Sequence, residues 1–246
     1  MYEHKQHDFT TPGGNKGTFE YRTDTNDWNT LTASLDEDEY GLAGLYLSGH
    51  AIDVGGYLGS VGIGLAIDNP ALTVTILEPV PDNYDLIWTN IALNGLEGRV
   101  EVIHGAAGPA SLATTTIHFG FRGSETATHH AFVGNASLLT LNQIGPDNCP
   151  SLMPHDHIEA KVYTLESLLP ADFIKIDCEG GEWTFMADAP TTEIAHWVGE
   201  MHPIPGHTEQ AYGSIRAEFE ALLPGYAVTW GNQPIGGAAE FSAVRR

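Results

Sequence analysis

Two acids and a glycine turn carry the first chemical signal in this chain. Asp53-Val54-Gly55-Gly56-Tyr57-Leu58-Gly59 continues an apolar run through Ala51 and Ile52, and Thr75-Ile76-Leu77-Glu78-Pro79 follows about 25 residues after Asp53. An apolar strand, a glycine turn, a helix and a second apolar strand ending in an acid together spell an α/β nucleotide site. Glycines let the backbone pass close to a ligand where a side chain would clash. An acid at the tip of the second strand is placed to accept hydrogen bonds from a ribose diol. The spacing is Asp-x-Gly-x-x-x-Gly rather than Gly-x-Gly-x-x-Gly, because Asp53 stands where the dinucleotide pattern needs its first glycine. A carboxylate there suits a ligand with an amine and a sulfonium better than a pyrophosphate, and S-adenosylmethionine is such a ligand.

On this reading Asp53, Gly55, Gly56, Tyr57, Leu58 and Gly59 form the first cofactor loop. Glu78 and Pro79 form the ribose end. Asn83 is either a ribose- or adenine-side contact or an ordinary first-turn polar residue. His104-Gly105-Ala106-Ala107 follows a third apolar run, and the small Ala106 and Ala107 leave room for a flat ring or simply pack a loop.

A second group of acids lies downstream. Asp177, Glu179 and Glu182 follow the apolar run Phe173–Ile176, and Glu200 and His202 end another. In an open α/β sheet the carboxyl ends of the strands line the ligand crevice. If the ligand is S-adenosylmethionine, transfer of its methyl group needs in-line geometry, and a protic acceptor also needs a group to take its proton. Asp177, Glu179, Glu200 and His202 are the candidates for that work. Acids crowded at one sheet edge should raise at least one carboxyl pKa. Asp177, Glu200 and His202 also offer two carboxylates and an imidazole to a divalent metal that would acidify a hydroxyl. His129-His130 and His155-Asp156-His157 are further ligand types, although histidines so spaced in loops are usually polar surface, and no Cys-x-x-Cys pair supports structural zinc. Glu179 and Glu182 have a plainer reading as caps of a helix beginning at Gly180. Lys175 either neutralises neighbouring acids or lies along the sheet. Phe121 and Phe132 are candidates for acceptor contact, whereas Trp183, Phe185, Trp197 and Trp230 read as packing.

These residues need elements to hold them. The pattern predicts a short strand at Thr18–Tyr21, a helix over Asp36–Leu47, a strand near 50–54 and a helix over about 58–68. Leu72–Leu77 is the next strand. Tyr84, Ile87, Trp88, Ile91 and Ala92 follow a helical period that Gly95 stops. Strands follow at Arg99–Ile103, Asp172–Asp177 and Ala195–Glu200, then a helix near 209–223 and strands near 226–230 and 239–244. Alternation of strands and helices implies a mostly parallel sheet covered on both faces. The last two strands have no room for a crossover and must be antiparallel. The stretch 108–160 has Pro109, Pro146, Pro150 and Pro154 and no long helical period, and reads as an insert covering the active site. Residues 1–35 read as an N-terminal arm and 36–246 as the single domain.

Composition narrows the partners. With 246 residues and 42% hydrophobic content there is enough chain for one sizeable α/β domain. The 32 acids against 10 bases give a net charge of −22, which repels phosphate backbones and argues against nucleic acid. Cys149 and Cys178 make no disulfide framework. No apolar run approaches the roughly 20 residues that span a bilayer, and the polar start Met1-Tyr2-Glu3-His4-Lys5-Gln6 lacks the core of a signal peptide. The expectation is a cytoplasmic protein with a small-molecule partner and no membrane partner, for which a homo-oligomer is compatible.

In the order in which they occur, several of these stretches resemble one family, the FkbM-type S-adenosylmethionine-dependent methyltransferases. Asp53–Gly59 is similar to its first glycine turn and Glu78-Pro79-Val80-Pro81-Asp82-Asn83-Tyr84 to its second-strand motif. Val162–Leu169 followed by Asp172–Glu182 resembles its signature, and Gly199-Glu200-Met201-His202 its late strand. Tyr57 stands where the family often has Asn, Gly56 where it has Ala, and Glu166 where Asp is common. The resemblance implies a class I methyltransferase fold, Rossmann-like, with a seven-stranded mostly parallel sheet, helices on both faces and an antiparallel last strand. It also implies O-methylation of a hydroxyl on a sugar or secondary metabolite, with Ala106 and Ala107 lining the adenine pocket. Two alternatives stay open at this point: a relative that binds cofactor without turnover, and an NAD-linked oxidoreductase, against which the glycine spacing argues.

Overall fold

Short apolar runs separated by amphipathic segments pair into sheets because each strand buries both faces only when helices cover it. The computed structural model describes residues 3–120, 132–133, 155–187, 194–202, 212–231 and 238–246. In chain order they form β1 (His4–Thr10), β2 (Lys16–Arg22), α1 (Asp27–Leu31) running into a π-helical turn (Thr32–Asp36), β3 (Gly49–Val54), α2 (Ser60–Asp68), β4 (Leu72–Glu78), α3 (Pro81–Leu93) and β5 (Val100–His104). Then come β6 (Ala106–Ala107), β7 (Thr114–Gly120), β8 (Phe132–Val133), β9 (His155–Tyr163), α4 (Leu165–Leu168), β10 (Phe173–Ile176) and α5 (Glu182–Ala187). The chain continues with β11 (His196–Met201), α6 (Tyr212–Glu220), β12 (Tyr226–Trp230) and β13 (Ala239–Arg245).

Seven strands make the main sheet in the order β12-β13-β11-β10-β3-β4-β5. Pairings from β5 through β11 are parallel, and β13 runs antiparallel to both β11 and β12. The chain builds outward from β3 to β5, then returns to build from β10 to β11. Strand order therefore reverses between β3 and β10, and a crevice opens outside the carboxyl ends of those two strands. One apolar cluster, with Leu58, Ile63, Ile76, Ile87 and Phe173, fills one side of the sheet; the other, with Ile52, Ile174, Phe185, Trp197 and Phe219, fills the other. The buried Phe185 and Trp197 are packing residues, as their apolar context predicts.

Phe9, Phe19, Leu31 and Leu35, all from the opening 36 residues, are built into this core. β1 and β2 form a hairpin, of which Thr18–Tyr21 is part, and its Phe9 and Phe19 are fully buried. Side chains of α3 and of its C-cap complete the hairpin's backbone hydrogen bonds: Asn90 Oδ1 accepts from Glu20 N (2.7 Å) and Asn94 Oδ1 from Thr18 N (2.9 Å). The helix expected over Asp36–Leu47 does not form. Asp38 takes φ 53°, and its carboxylate accepts from Leu42 N (2.6 Å) and Ala43 N (2.9 Å), while Gly41 and Gly44 also have positive φ. Local side-chain capping and left-handed turns outcompete helix propagation there. β6, β7, β8 and β9 make a second, four-stranded sheet, whose Ile117 and Ala160 pack on Val80 and Ala106. The greater part of the expected 108–160 insert, with His129, His130, Phe121 and Cys149, lies outside the described residues, as do the side chains of Phe132, His155, Asp156 and His157. Among the described residues no helix is long and apolar enough to cross a membrane.

Candidate active site

A cavity of about 340 Å³ opens at the carboxyl ends of β3, β4, β10 and β11, at the low end of small-molecule sites. One wall is Gly55, Tyr57, Glu78, Pro79 and Asn83, continued by Gly105, Ala106, Ala107 and Ile117. The facing wall is Asp177, Cys178, Glu179 and Glu200. The segment after β2 closes a third side with Asn26, Asn29, Thr30, Glu39 and Tyr40. The two groups of residues singled out by spacing thus share one hollow, joined by a segment that spacing assigned to an arm and a helix.

Gly55 explains the shape of the turn. Its φ is +79°, and a Cβ there would lie 1.8 Å from the Asp177 carbonyl oxygen. Gly55→Ala therefore strains the backbone and pushes β3 from β10. A loss of at least about 1–3 kcal/mol is expected, read as a lower thermal midpoint. Asp53 holds the same turn from behind. It is 1% exposed, is not on the cavity wall, accepts from Gly62 N (2.9 Å) and lies 3.3 Å from Lys175 Nζ. Of the carboxylate that the sequence places in the cofactor loop, Oδ2 faces α2 and Oδ1 faces Lys175. Gly56, Leu58 and Gly59 likewise shape the turn beneath the wall.

Glu78 ends β4 and is 4% exposed. Its Oε1 accepts from Val80 N (2.8 Å) and Asn83 Nδ2 (3.3 Å), and its Oε2 from Tyr57 N (2.9 Å). A carboxylate offers about four lone-pair sites, so the unfilled capacity is on Oε2. Burial pushes this carboxyl up to about 7, against the pull of the Val80, Tyr57 and Asn83 donors. Beyond the cavity lining, at the end of β5, His104 stacks on Tyr84, with ring centroids 4.7 Å apart.

The opposite wall is an ion cluster. Tyr40 donates its hydroxyl to Asp177 Oδ2 (2.9 Å), and Lys175 Nζ donates to Gly55 O (2.8 Å) while lying 3.9 Å from Asp177. Lys175 thus neutralises acids, with its ammonium held up at about 12: burial opposes the charge, and Asp53 and Asp177 outweigh burial. His202 Nδ1 is 2.8 Å from Glu182 Oε1, and its Nε2 faces Glu179 (3.4 Å), Glu200 (3.6 Å) and Asp177 (4.0 Å). Burial works against a charged ring, but Glu182, Glu179 and Asp177 hold His202 protonated well above the ordinary imidazole range. Burial, then Asp177, pushes the Glu200 carboxyl up to about 7, the raised acid expected of this edge. Glu182 is fully buried and accepts from Gly180 N (2.9 Å) and His202 N (2.8 Å), so it ties down the turn before α5 and aims the histidine. Tyr57 (φ 50°) and Glu179 (φ 55°) are non-glycine residues held in the left-handed region at this cavity.

Spacing missed Arg22, Asp27, Glu39 and Tyr40. The buried acid Asp27 next to a Trp in an otherwise polar stretch is the one available hint. The Tyr40 contact to Asp177 spans 137 residues and has no local sequence signal.

The methyltransferase FkbM domain family matches residues 53–223, more than half of the chain. No curated protein matches it. Among solved structures, the precorrin-6Y C5,15-methyltransferase from Geobacter metallireducens GS-15 is 13% identical with TM-score 0.45, over 82% of this chain and 83% of that one. The O-methyltransferase from Bacillus cereus, in complex with SAH, is 19% identical with TM-score 0.38, over 80% and 74%. The mitomycin 7-O-methyltransferase MmcR is 14% identical with TM-score 0.45, over 89% and 55%. Likeness at this level says nothing about an acceptor. The sheet order, the single antiparallel strand β13 and the family match agree on a class I methyltransferase fold, and the chain belongs to the FkbM family of S-adenosylmethionine-dependent methyltransferases.

Proposed function

We propose that this chain transfers a methyl group from S-adenosylmethionine to a hydroxyl of a small molecule, a sugar or a secondary metabolite. The observation that carries the reading is the single cavity joining the glycine turn and Glu78 to the carboxylates of Asp177, Glu179 and Glu200. The residues fit the cofactor. The turn at Gly55 leaves no room for a Cβ, Glu78 has unfilled acceptor capacity on Oε2, and the small Ala106 and Ala107 line the cavity with Ile117. Bound there, S-adenosylmethionine supplies an electrophilic methyl on its sulfonium. The chain's own residues do the rest. Gly55 and Tyr57 present backbone to the ligand, while Lys175 and Tyr40 fix Asp177. Glu200 takes the hydroxyl proton as the acceptor oxygen gains its bond to carbon. A carboxyl near 7 is matched to that task at neutral pH, whereas His202, already protonated, offsets negative charge at the edge. Residues of the 108–160 insert cover the active site, a reading supported by Ile117 of β7 on the cavity wall. The test is incubation with S-adenosylmethionine and candidate hydroxylated metabolites, read as the mass gain of one methylene. Failure with binding intact would favour a non-catalytic relative.

One observation favours a second role for the same edge. Glu182 turns His202 so that Nε2 faces Asp177 and Glu200, and one ligand atom from each of the three residues lies within 4.8 Å of the others. A buried carboxylate behind a histidine is the usual support for a metal ligand. The donor set of two carboxylates and an imidazole fits a divalent ion that would acidify the hydroxyl. Chelator treatment separates the two roles. Activity lost and then restored by Mg²⁺ or Mn²⁺ supports the metal, and indifference supports Glu200 as a plain base.

A further inference from the structure

We infer that Arg22, which lies outside the matched domain, is a positioning residue of the cofactor site: its ion pair with Asp27 sets two of the residues that hold Glu78, Tyr57 and Asn83. This deepens the cofactor reading above and rests on it.

Arg22 ends β2 and is 2% exposed, and Asp27, at the start of α1, is fully buried. The guanidinium donates from Nε to Asp27 Oδ2 (2.8 Å) and from Nη2 to Oδ1 (3.0 Å). Nη2 also donates to Asn83 Oδ1 (2.9 Å), and Asp27 Oδ1 also accepts from the Tyr57 hydroxyl (2.8 Å). Each link has a consequence at Glu78. An amide whose oxygen accepts from a guanidinium must turn its NH₂ away, and Asn83 Nδ2 thereby points at Glu78 Oε1 (3.3 Å). Tyr57 sits at φ 50°, and its anchored hydroxyl keeps its backbone N–H on Glu78 Oε2 (2.9 Å). Of the three donors to Glu78, only Val80 N is independent of the pair.

The pair is a poor device for stability alone. Arg22 Nη1 is buried with no hydrogen-bond partner among the described residues. An orphaned donor on a buried ion is destabilising, and an apolar pair of similar volume would often fill such a place as well or better. Lysine could not replace the arginine, because the task needs donors aimed at two acceptor groups from one planar head. What the pair does supply is orientation. Burial disfavours the ionised form of Glu78, and the Tyr57 and Asn83 donors favour it. Among the described residues, Lys175 of β10 also favours ionisation, and the titratable His104 is the register partner of Glu78 on β5.

The experiment is a calorimetric titration of the full chain with S-adenosylhomocysteine at about pH 7 and about pH 9. Arg22→Gln is expected to raise Kd about 10-fold at the lower pH, equivalent to about 1.4 kcal/mol. The gap should narrow at the higher pH, where Glu78 ionises without the help of Asn83. A purely structural role would not produce that rescue by pH. Because Arg22→Gln leaves the Asp27 carboxylate without its cation in the core, Arg22→Met combined with Asp27→Asn is the companion. It removes both charges and keeps an oxygen for Tyr57, and it decides the matter on the same criteria where the single variant does not fold. A folded variant with the parent's affinity at about pH 7, or an equal loss at both pH values, overturns the proposal. Absence of binding in the parent chain overturns the cofactor reading beneath it, and is told apart because no substitution is involved.

Discussion

Glu200→Gln is expected to lower turnover by about 10²–10⁴-fold, the usual contribution of a general base, and to leave affinity for S-adenosylhomocysteine nearly intact. The side chain is on the cavity wall at the end of β11, two strands from the glycine turn, so the cofactor loop does not depend on it. The pH dependence has a definite sign. A base works deprotonated, and this carboxyl is held at about 7 by burial and by Asp177. Turnover therefore rises as pH increases through about 7 and falls below it. Asp177→Asn gives a second signature at the same edge. It also lowers turnover, because Asp177 is the carboxylate that Tyr40 and Lys175 fix at the cavity. It removes a negative neighbour of Glu200 as well, so the acid limb of the residual activity moves to lower pH. Stopped-flow or mass-spectrometric rates across pH, with and without chelator, check all of this. An unchanged rate in folded Glu200→Gln would leave in-line positioning as the source of catalysis.

Glu78→Ala is expected to weaken S-adenosylhomocysteine binding by roughly 10- to 100-fold. A hydrogen bond to a charged group contributes about 1.5–3 kcal/mol, and Glu78 is the strand-end acid with unfilled acceptor capacity at the cavity. The loss has two sources. The ribose loses an acceptor, and Tyr57 N and Val80 N lose theirs, so the first loop and the start of α3 both loosen. Glu78→Gln separates them. It keeps an amide oxygen for one of the donors and should fall between the parent and the alanine variant. Calorimetry with a parallel thermal melt reads both effects. Parent-like affinity in folded Glu78→Ala would reject the ribose assignment.

Much of this architecture is legible in residues close together in the chain. A strand that must end in a sharp turn against its neighbour needs glycine at position 55, and the 1.8 Å approach of a hypothetical Cβ to Asp177 is the physical reason. Alternating strands and helices leave few arrangements other than a parallel sheet, and the short link between β12 and β13 forces antiparallel pairing. Glu78, Asp177, Glu200 and His202 are readable as strand-end groups because strand ends point the same way in such a sheet.

What the tertiary structure decided is which of these groups touch, and through whom. Tyr40 reaches Asp177 across 137 residues, and Arg22 reaches Asn83 across 61. Neither separation carries a period or a motif, because contacts between distant segments are set by packing and not by local backbone preference. The Asp36–Leu47 stretch has helical composition, yet Asp38 and the glycines at 41 and 44 bend it into the loop that carries Tyr40 to the cavity. The opening hairpin reads as an arm because its exposed face is polar. Burial of Phe9 and Phe19, and the asparagines of α3 and of its C-cap that bond the hairpin's edge, make it a wall of the domain. Asp53 shows the converse: its place in the motif is legible from spacing, but only the fold turns its carboxylate away from the cavity toward Gly62 and Lys175.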